Sequence, residues 1–231
     1  MWDVPRKTRT DEPSDEPVRF PRRAEAARST RDSLIRAAAE LFAEHGYSAT
    51  TIQAIADRAG VARPTVFTSV PGGKPQLLKE ARDRALAGDD EPIPVPQRPW
   101  FRHAMSQTDP YELLRLQAGN YRRILDRAAR LEQALTIAAS HDPALAELHQ
   151  QARQQRRYGA LAVSTRLDEL QALPSDLNTE LAADTIYALA GADVYLLLVH
   201  DRGWSPDNYE HWLAERLQQS LIHDRRAADG G

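Results

Sequence analysis

"LIRAAAELFAEHGYSATTIQAIADRAGVARPTVFTSVPGGKPQLLK", residues 34–79, carries hydrophobic spacing for four short helices around a tight turn at Gly60-Val61. Leu34, Ile35, Ala38, Leu41 and Phe42 recur at helical intervals and predict one buried face. Gly46 follows the last apolar turn, where a left-handed cap residue is favoured. Thr50 or Thr51 then offers a hydroxyl to orphan amides and opens a second helix, with Ile52, Ile55, Ala56 and Ala59 on one side. Ala56 and Gly60 are four apart: the alanine lets a neighbouring helix cross closely, and the glycine accepts the positive φ that a short turn demands. Pro64 suits a first helical turn, where a missing N–H costs nothing, so the next helix is expected over residues 63–69. This is the build of a helix-turn-helix, and it points to DNA.

Within that second helix of the motif Val66 and Val70 are four apart and should face a small core. Arg63, Pro64, Thr65, Phe67, Thr68 and Ser69 are left for the outward surface and the major groove. An arginine can fork onto guanine, threonine hydroxyls can touch base edges or phosphate, and a phenyl ring can pack on sugar or a thymine methyl. Lys74, opening a further helix that buries Leu77, Leu78 and Ala81, is placed to meet a phosphate together with backbone amides of the helix start.

The run from Ala38 to Leu78 resembles the DNA-binding domain of the TetR family of bacterial transcription regulators. Phe42, Gly46, Thr51, Ile55, Ala56, Gly60, Val61, Thr65 and Lys74 stand where that family's pattern expects them. Phe67 replaces the usual tyrosine and Val70 the usual phenylalanine, and Pro71-Gly72-Gly73 makes the link to the lysine slightly long. "RGWSPDNYEHWLAERLQQSL", Arg202 to Leu221, is similar to the C-terminal helix of one branch of such regulators, which helps to form the dimer. The resemblance implies an all-α chain, an N-terminal DNA-binding domain and a helical body for ligand binding and dimerisation.

Composition agrees. A chain of 231 residues with 42% hydrophobic content can bury a sizeable core. Cysteine is absent, so thiolate catalysis, disulfides and cysteine-ligated zinc are excluded. No charge-free apolar run approaches a membrane span, and a cytoplasmic protein is expected. The net charge of −3 is unevenly spread. Residues 1–86 hold 15 Lys and Arg against 12 Asp and Glu, while residues 87–231 hold 15 against 21. Residues 1–30 read as a disordered basic arm, in which Arg19, Arg22, Arg23 and Arg28, with Arg31 just beyond, could follow phosphates or enter a minor groove.

The expected domains are the head over 31–87, a proline-rich strap over 88–99, a body over 100–223 and a disordered tail over 224–231. Four prolines between Gly88 and Trp100 make the strap stiff, and it is expected to carry movement from body to head. In the body Leu114, Tyr121, Ala128 and Leu135 are spaced by seven, with Ile124, Leu131 and Ala138 as a companion row. Asp142-Pro143, Thr179 and Ser205-Pro206 open later helices. The segment from Thr179 to about Arg202 is too apolar all round for a surface helix, and Tyr209, Trp212, Leu213, Leu217 and Leu221 align on the last. Leu189, Tyr195, Leu196, Trp212, Leu213 and Leu217 are therefore expected in a two-fold, four-helix dimer interface that would place the heads on a pseudo-palindromic operator.

Candidates for an effector pocket are polar or aromatic residues in apolar seams, namely Trp100, Met105, Gln117, Asn120, Tyr121, Tyr158 and Tyr187; Phe101 and His103 lie nearby. An apolar or aromatic small molecule is expected, with no cofactor and no metal. Neither G-x-S-x-G, a P-loop nor H-E-x-x-H occurs, so the chain does not read as an enzyme. The reading is a ligand-released repressor; the alternative is a helical interaction module that has lost DNA binding.

Overall fold

The computed structural model describes residues 20–89, 91 and 93–223, and all regular structure among them is helical. In chain order the helices are α1 Phe20–Ala49, α2 Ile52–Ala59, α3 Arg63–Ser69, α4 Gly73–Ala87, α5 Pro99–Met105, α6 Pro110–Ala139, α7 Pro143–Glu169, α8 Thr179–Leu189, α9 Ala192–Tyr195 and α10 Pro206–Leu221. The starts follow from local chemistry. Thr51, Asp109, Asp142, Asn178 and Ser205 each accept a backbone N–H of the first turn they cap, a bond worth ~0.5–2 kcal/mol.

α1 is longer than the spacing predicted. Residues 20–30, expected to be disordered, form its first three turns. Ala24, Ala26 and Ala27 among arginines favour a helix, a preference that charge composition alone conceals. Arg19 and the expected tail lie outside the described residues.

The hydrophobic interior falls into two clusters, and their boundary is not the strap. In the head Leu34, Ala38, Phe42, Ile55, Val66, Val70, Leu77 and Leu78 are buried together, and the cluster continues through Leu131, Leu135 and Ala138 of α6 to Leu145 and Ala152 of α7. The second cluster joins Leu113, Leu114 and Leu125 of α6 to Leu167, Ile186, Tyr195, Tyr209, Leu213 and Leu217. The single helix α6, about 45 Å long at 1.5 Å per residue, therefore serves both cores. Head and body also share polar contacts. Arg82 of α4, buried, reaches Glu132 of α6 at 2.8 Å. Arg127 of α6 donates to the Ala85 carbonyl at 2.8 Å, where α4 runs out of its own donors.

The strap is a folded loop rather than a rod. Its organiser is Arg98, 3% exposed, which pairs with Asp89 at 2.6 Å and donates to the carbonyls of Ile93 and Glu91 at 3.1 and 3.0 Å. Prolines restrict the chain, and the buried guanidinium collects the carbonyls of the residues just before Pro92 and Pro94. Mechanical continuity between head and body thus runs through packed α4 and α6 as well as the strap.

In the body α10 lies against α6 at Gly119, where a Cβ would come within 2.9 Å of Glu210 Oε1. Arg122 pairs with Glu210 at 3.0 Å, and the Tyr195 hydroxyl donates to Asp126 in a short bond. This packing overturns part of the expected dimer surface. Tyr195, Leu196, Leu213 and Leu217 are buried within the monomer, because α6 already covers the apolar stripes of α9 and α10. Leu189 and Trp212 are only partly covered. The expected continuous helix from Thr179 is also broken, at extended Gly191 (φ −83°, ψ 153°), and resumes as α9 and a π-helical segment, Leu196–Asp201. Thr179–Asp201 is long and apolar enough by composition to cross a membrane, with mean hydropathy 1.5. The break at Gly191 and exposed Asp184 and Asp193 do not suit a span, whose backbone must be satisfied within the helix.

Candidate nucleic-acid interface

The turn between α2 and α3 is fixed by Gly60, left-handed at φ 70° and ψ 32°. Its amide bonds back to α2, and Val61 N–H reaches the Ala56 carbonyl at 3.0 Å. α3 then starts with Pro64 in its first turn and spans Arg63 to Ser69, as the spacing predicted. Val66 and Val70 are fully buried, each such burial being worth ~1.5–3 kcal/mol, and this holds α3 in one rotation. Arg63, Pro64, Phe67 and Thr68 are consequently exposed, while Thr65 and Ser69 are half-buried.

Arg63 makes no hydrogen bond or ion pair among the described residues, so its five donors point to solvent unspent. The Thr68 hydroxyl donates to the Thr65 carbonyl at 3.1 Å, which leaves its oxygen free to accept. It suits a base amino group better than a phosphate, which can only accept. The Phe67 ring, 49% exposed, lies over Gly73. The Ser69 carbonyl accepts from Arg31 of α1, a short bond that ties the end of α3 to α1.

Two expected contacts differ. Thr50 is 2% exposed, and its hydroxyl donates within the protein to the carbonyls of Gly46 and Leu41 at 2.8 and 3.1 Å. It locks the α1–α2 corner and is not available to DNA. Thr51 alone caps α2, accepting from Ala54 N–H at 3.0 Å, and remains exposed. Gln53, in the first turn of α2 and exposed beside it, was not singled out from the sequence; its outward position between Ile52 and Ile55 was the available signal.

Lys74 stands in the first turn of α4, whose cap residue Gly72 supplies no side-chain acceptor, so amides at that helix start lack a side-chain cap. Its Nζ lies 4.1 Å from the centre of the Tyr47 ring, and burial lowers its pKa. Burial, with Asp142 nearby, pushes the Tyr47 phenol up to about 12. The lysine is thus held over an aromatic platform rather than extended freely, a partner the sequence did not reveal.

The expected effector residues separate into groups. Met105, Gln117 and Asn120 do come together: Gln117 donates to the Met105 sulfur at 3.5 Å and Asn120 to the Gln117 oxygen at 3.3 Å, and Arg123 closes the chain on Asn120 at 2.6 Å. Tyr121 packs against the same core, where burial raises its pKa. Trp100 is half-buried against Phe101. Tyr158 is 71% exposed and does not belong with them; helical spacing identified its row but not which side was covered. Tyr187 faces elsewhere, stacked under Arg156 at 3.5 Å and lining an open groove of about 550 Å³ between α7 and α8. Among the described residues no cluster of His, Asp and Glu is arranged to hold a metal.

Residues 34–81 match the family model of bacterial regulatory proteins, tetR family. No curated protein matches the chain in sequence. Solved structures do match its fold. NalD of Pseudomonas aeruginosa, described as the secondary repressor of the MexAB-OprM multidrug efflux pump, is 22% identical with a TM-score of 0.62, over 86% of this chain and 99% of that one. SmeT in complex with triclosan is 18% identical with a TM-score of 0.62, over 85% and 93%; SmeT is described as a repressor of a multidrug efflux pump of Stenotrophomonas maltophilia. A regulator from Saccharomonospora viridis bound to choline is 18% identical with a TM-score of 0.63, over 87% and 99%. The head thus matches the tetR family of bacterial regulatory proteins over residues 34–81, and the chain shares the all-helical fold of these solved structures.

Proposed function

We propose that the protein is a cytoplasmic repressor that binds a pseudo-palindromic operator as a homodimer and is released by a small, mainly apolar or aromatic molecule taken up by its body. The observation that carries the reading is α3: a rigidly seated helix that presents unpaired Arg63 beside exposed Pro64, Phe67 and Thr68. A helical module without DNA would gain nothing from that surface. Two matched proteins are described as efflux-pump repressors and one was solved with triclosan, which supports the repressor and effector parts. The polar chain Met105–Gln117–Asn120, set in an apolar seam, offers the few oriented polar groups that a mostly apolar pocket needs. Release requires that effector and DNA prefer different conformations, and α6, packed into both cores, is the element able to couple them.

The dimer would form through apolar groups that the monomer leaves uncovered: Leu181 and Leu197, each about half exposed, with Leu189 and Trp212 partly so. The test is fluorescence anisotropy of the purified protein on the intergenic duplex beside its own gene, at two salt concentrations, against a scrambled duplex. Tight binding to the first alone, reversed by an apolar ligand, is the expected result. Equal binding to both would refute operator recognition there.

A further inference from the structure

Residues 20–31 carry four arginines against one acid, Glu25. The segment is helical and continuous with α1, and residues 23–29 are exposed throughout. Its inner end is fixed in the DNA-binding head. Arg31 donates to the Ser69 carbonyl at the end of α3 and pairs with Glu80 of α4 at 2.6 Å. Arg23 and Arg28, by contrast, have no hydrogen bond or ion pair among the described residues.

Helical geometry places these two. At ~100° per residue, Arg28 stands about 60° to one side of the Arg31 line and Arg23 about 80° to the other. At 1.5 Å per residue they are displaced outward along the axis by about 4.5 and 12 Å. The pair thus straddles a line that starts at the recognition helix and runs away from it. Two exposed arginines flanking that line, next to α3, complement the phosphates on either side of the groove which α3 enters.

We propose that the α1 extension is a second DNA-binding element, a rigid basic helix whose Arg23 and Arg28 contact phosphates flanking the half-site. This rests on the reading of α3 as the DNA-facing helix. Being helical, the extension cannot thread a minor groove as a loose arm would; it adds sequence-independent affinity and lengthens the footprint. Each neutralised phosphate releases counterions, adding about 0.9 to the slope of log K against log salt. Two contacts add about 1.8 per subunit, so between 50 and 200 mM salt each extension makes the complex lose about 12-fold more affinity than it would without them.

The test uses the full chain and a 30-base-pair duplex of arbitrary sequence, so that no operator is needed. Anisotropy titrations across 50–200 mM salt compare the unaltered protein, Arg23→Ala/Arg28→Ala, and a charge-matched control, Arg102→Ala/Arg202→Ala, at exposed body positions. Circular dichroism establishes that all three are equally helical. The expected result is a shallower salt slope for Arg23→Ala/Arg28→Ala alone. An unchanged slope, or an equal loss in the control, overturns the proposal while leaving α3 as the reader of DNA. Absence of binding by the unaltered protein also overturns the proposal, since sequence-independent affinity is what the extension adds, and leaves the α3 reading to the operator duplex.

Discussion

Removing Glu132 should expose how strongly the head is tied to the body. The Arg82 side chain is 5% exposed and its Nε lies 2.8 Å from Glu132 Oε1, whereas the carboxylate retains 22% exposure. Stranding a buried charge by deleting its partner costs ~3–5 kcal/mol. Two features reduce that here. Asp83 stays within 3.4 Å of the guanidinium, and space left by Glu132→Ala opens toward solvent, so about 2–3 kcal/mol is expected. For a chain of this size 1 kcal/mol corresponds to ~2–4 °C, giving a fall in Tm of about 4–12 °C. The reverse deletion, Arg82→Met, leaves a carboxylate that can reach water and should cost less. Arg82→Met/Glu132→Leu should recover most of the loss, since replacing a buried pair by packed apolar groups is often neutral or stabilising. Thermal melts by circular dichroism decide the matter. A Tm for Glu132→Ala within 2 °C of the unaltered protein, or a larger fall for Arg82→Met, would refute the argument that the buried arginine is held by this partner.

Other changes separate roles at the DNA surface and beyond. Arg63→Ala should weaken operator binding by ~1–3 kcal/mol and relax sequence preference, whereas Lys74→Ala should weaken all duplexes alike and lower the salt slope by about one; equal effects of Arg63→Ala on every sequence would remove its base-reading role. Thr50→Val should cost ~1–2 kcal/mol of stability by leaving the Leu41 and Gly46 carbonyls without their hydroxyl donor, yet bind DNA normally below its melting range; weakened binding with an unchanged Tm would restore Thr50 as a contact. The Tyr47 phenol, raised to about 12, favours its protonated form in the folded state, so its contribution to stability is complete below pH 10 and is lost as pH rises from about 10 to 12. An absorbance titration of the unaltered protein minus that of Tyr47→Phe should show its midpoint near pH 12, and a midpoint near 10 would mean that the ring is fully wet. Leu181→Glu/Leu197→Glu should shift sedimentation toward monomer and weaken operator binding; an unchanged dimer would place the interface on another face.

The head was legible because short-range rules govern it. A glycine with positive φ at residue 60, a proline in the first turn of α3 and valines four apart at 66 and 70 each have one inexpensive structural solution, and together they fix which residues of α3 face outward. Thr50 and Thr51 show where that reasoning ends. Both are hydroxyls at a helix start, and only the fold of α1 over the corner decides that one donates inward to Leu41 while the other caps α2.

The body was read less well for a related reason: periodicity states that a face is buried but not what buries it. Leu213 and Leu217 form an apolar stripe that would serve a dimer equally, and the choice fell to α6 because Gly119 lets α10 approach closely enough to cover the stripe from within the same chain. Once those residues are committed, a partner subunit has only the leftovers to use, chiefly Leu181 and Leu197. The dimer contact would then be a smaller surface laid over an already closed core. A monomer so complete can hold its fold while two copies shift against one another, and a regulator that alters the spacing of its heads has use for an interface of that kind.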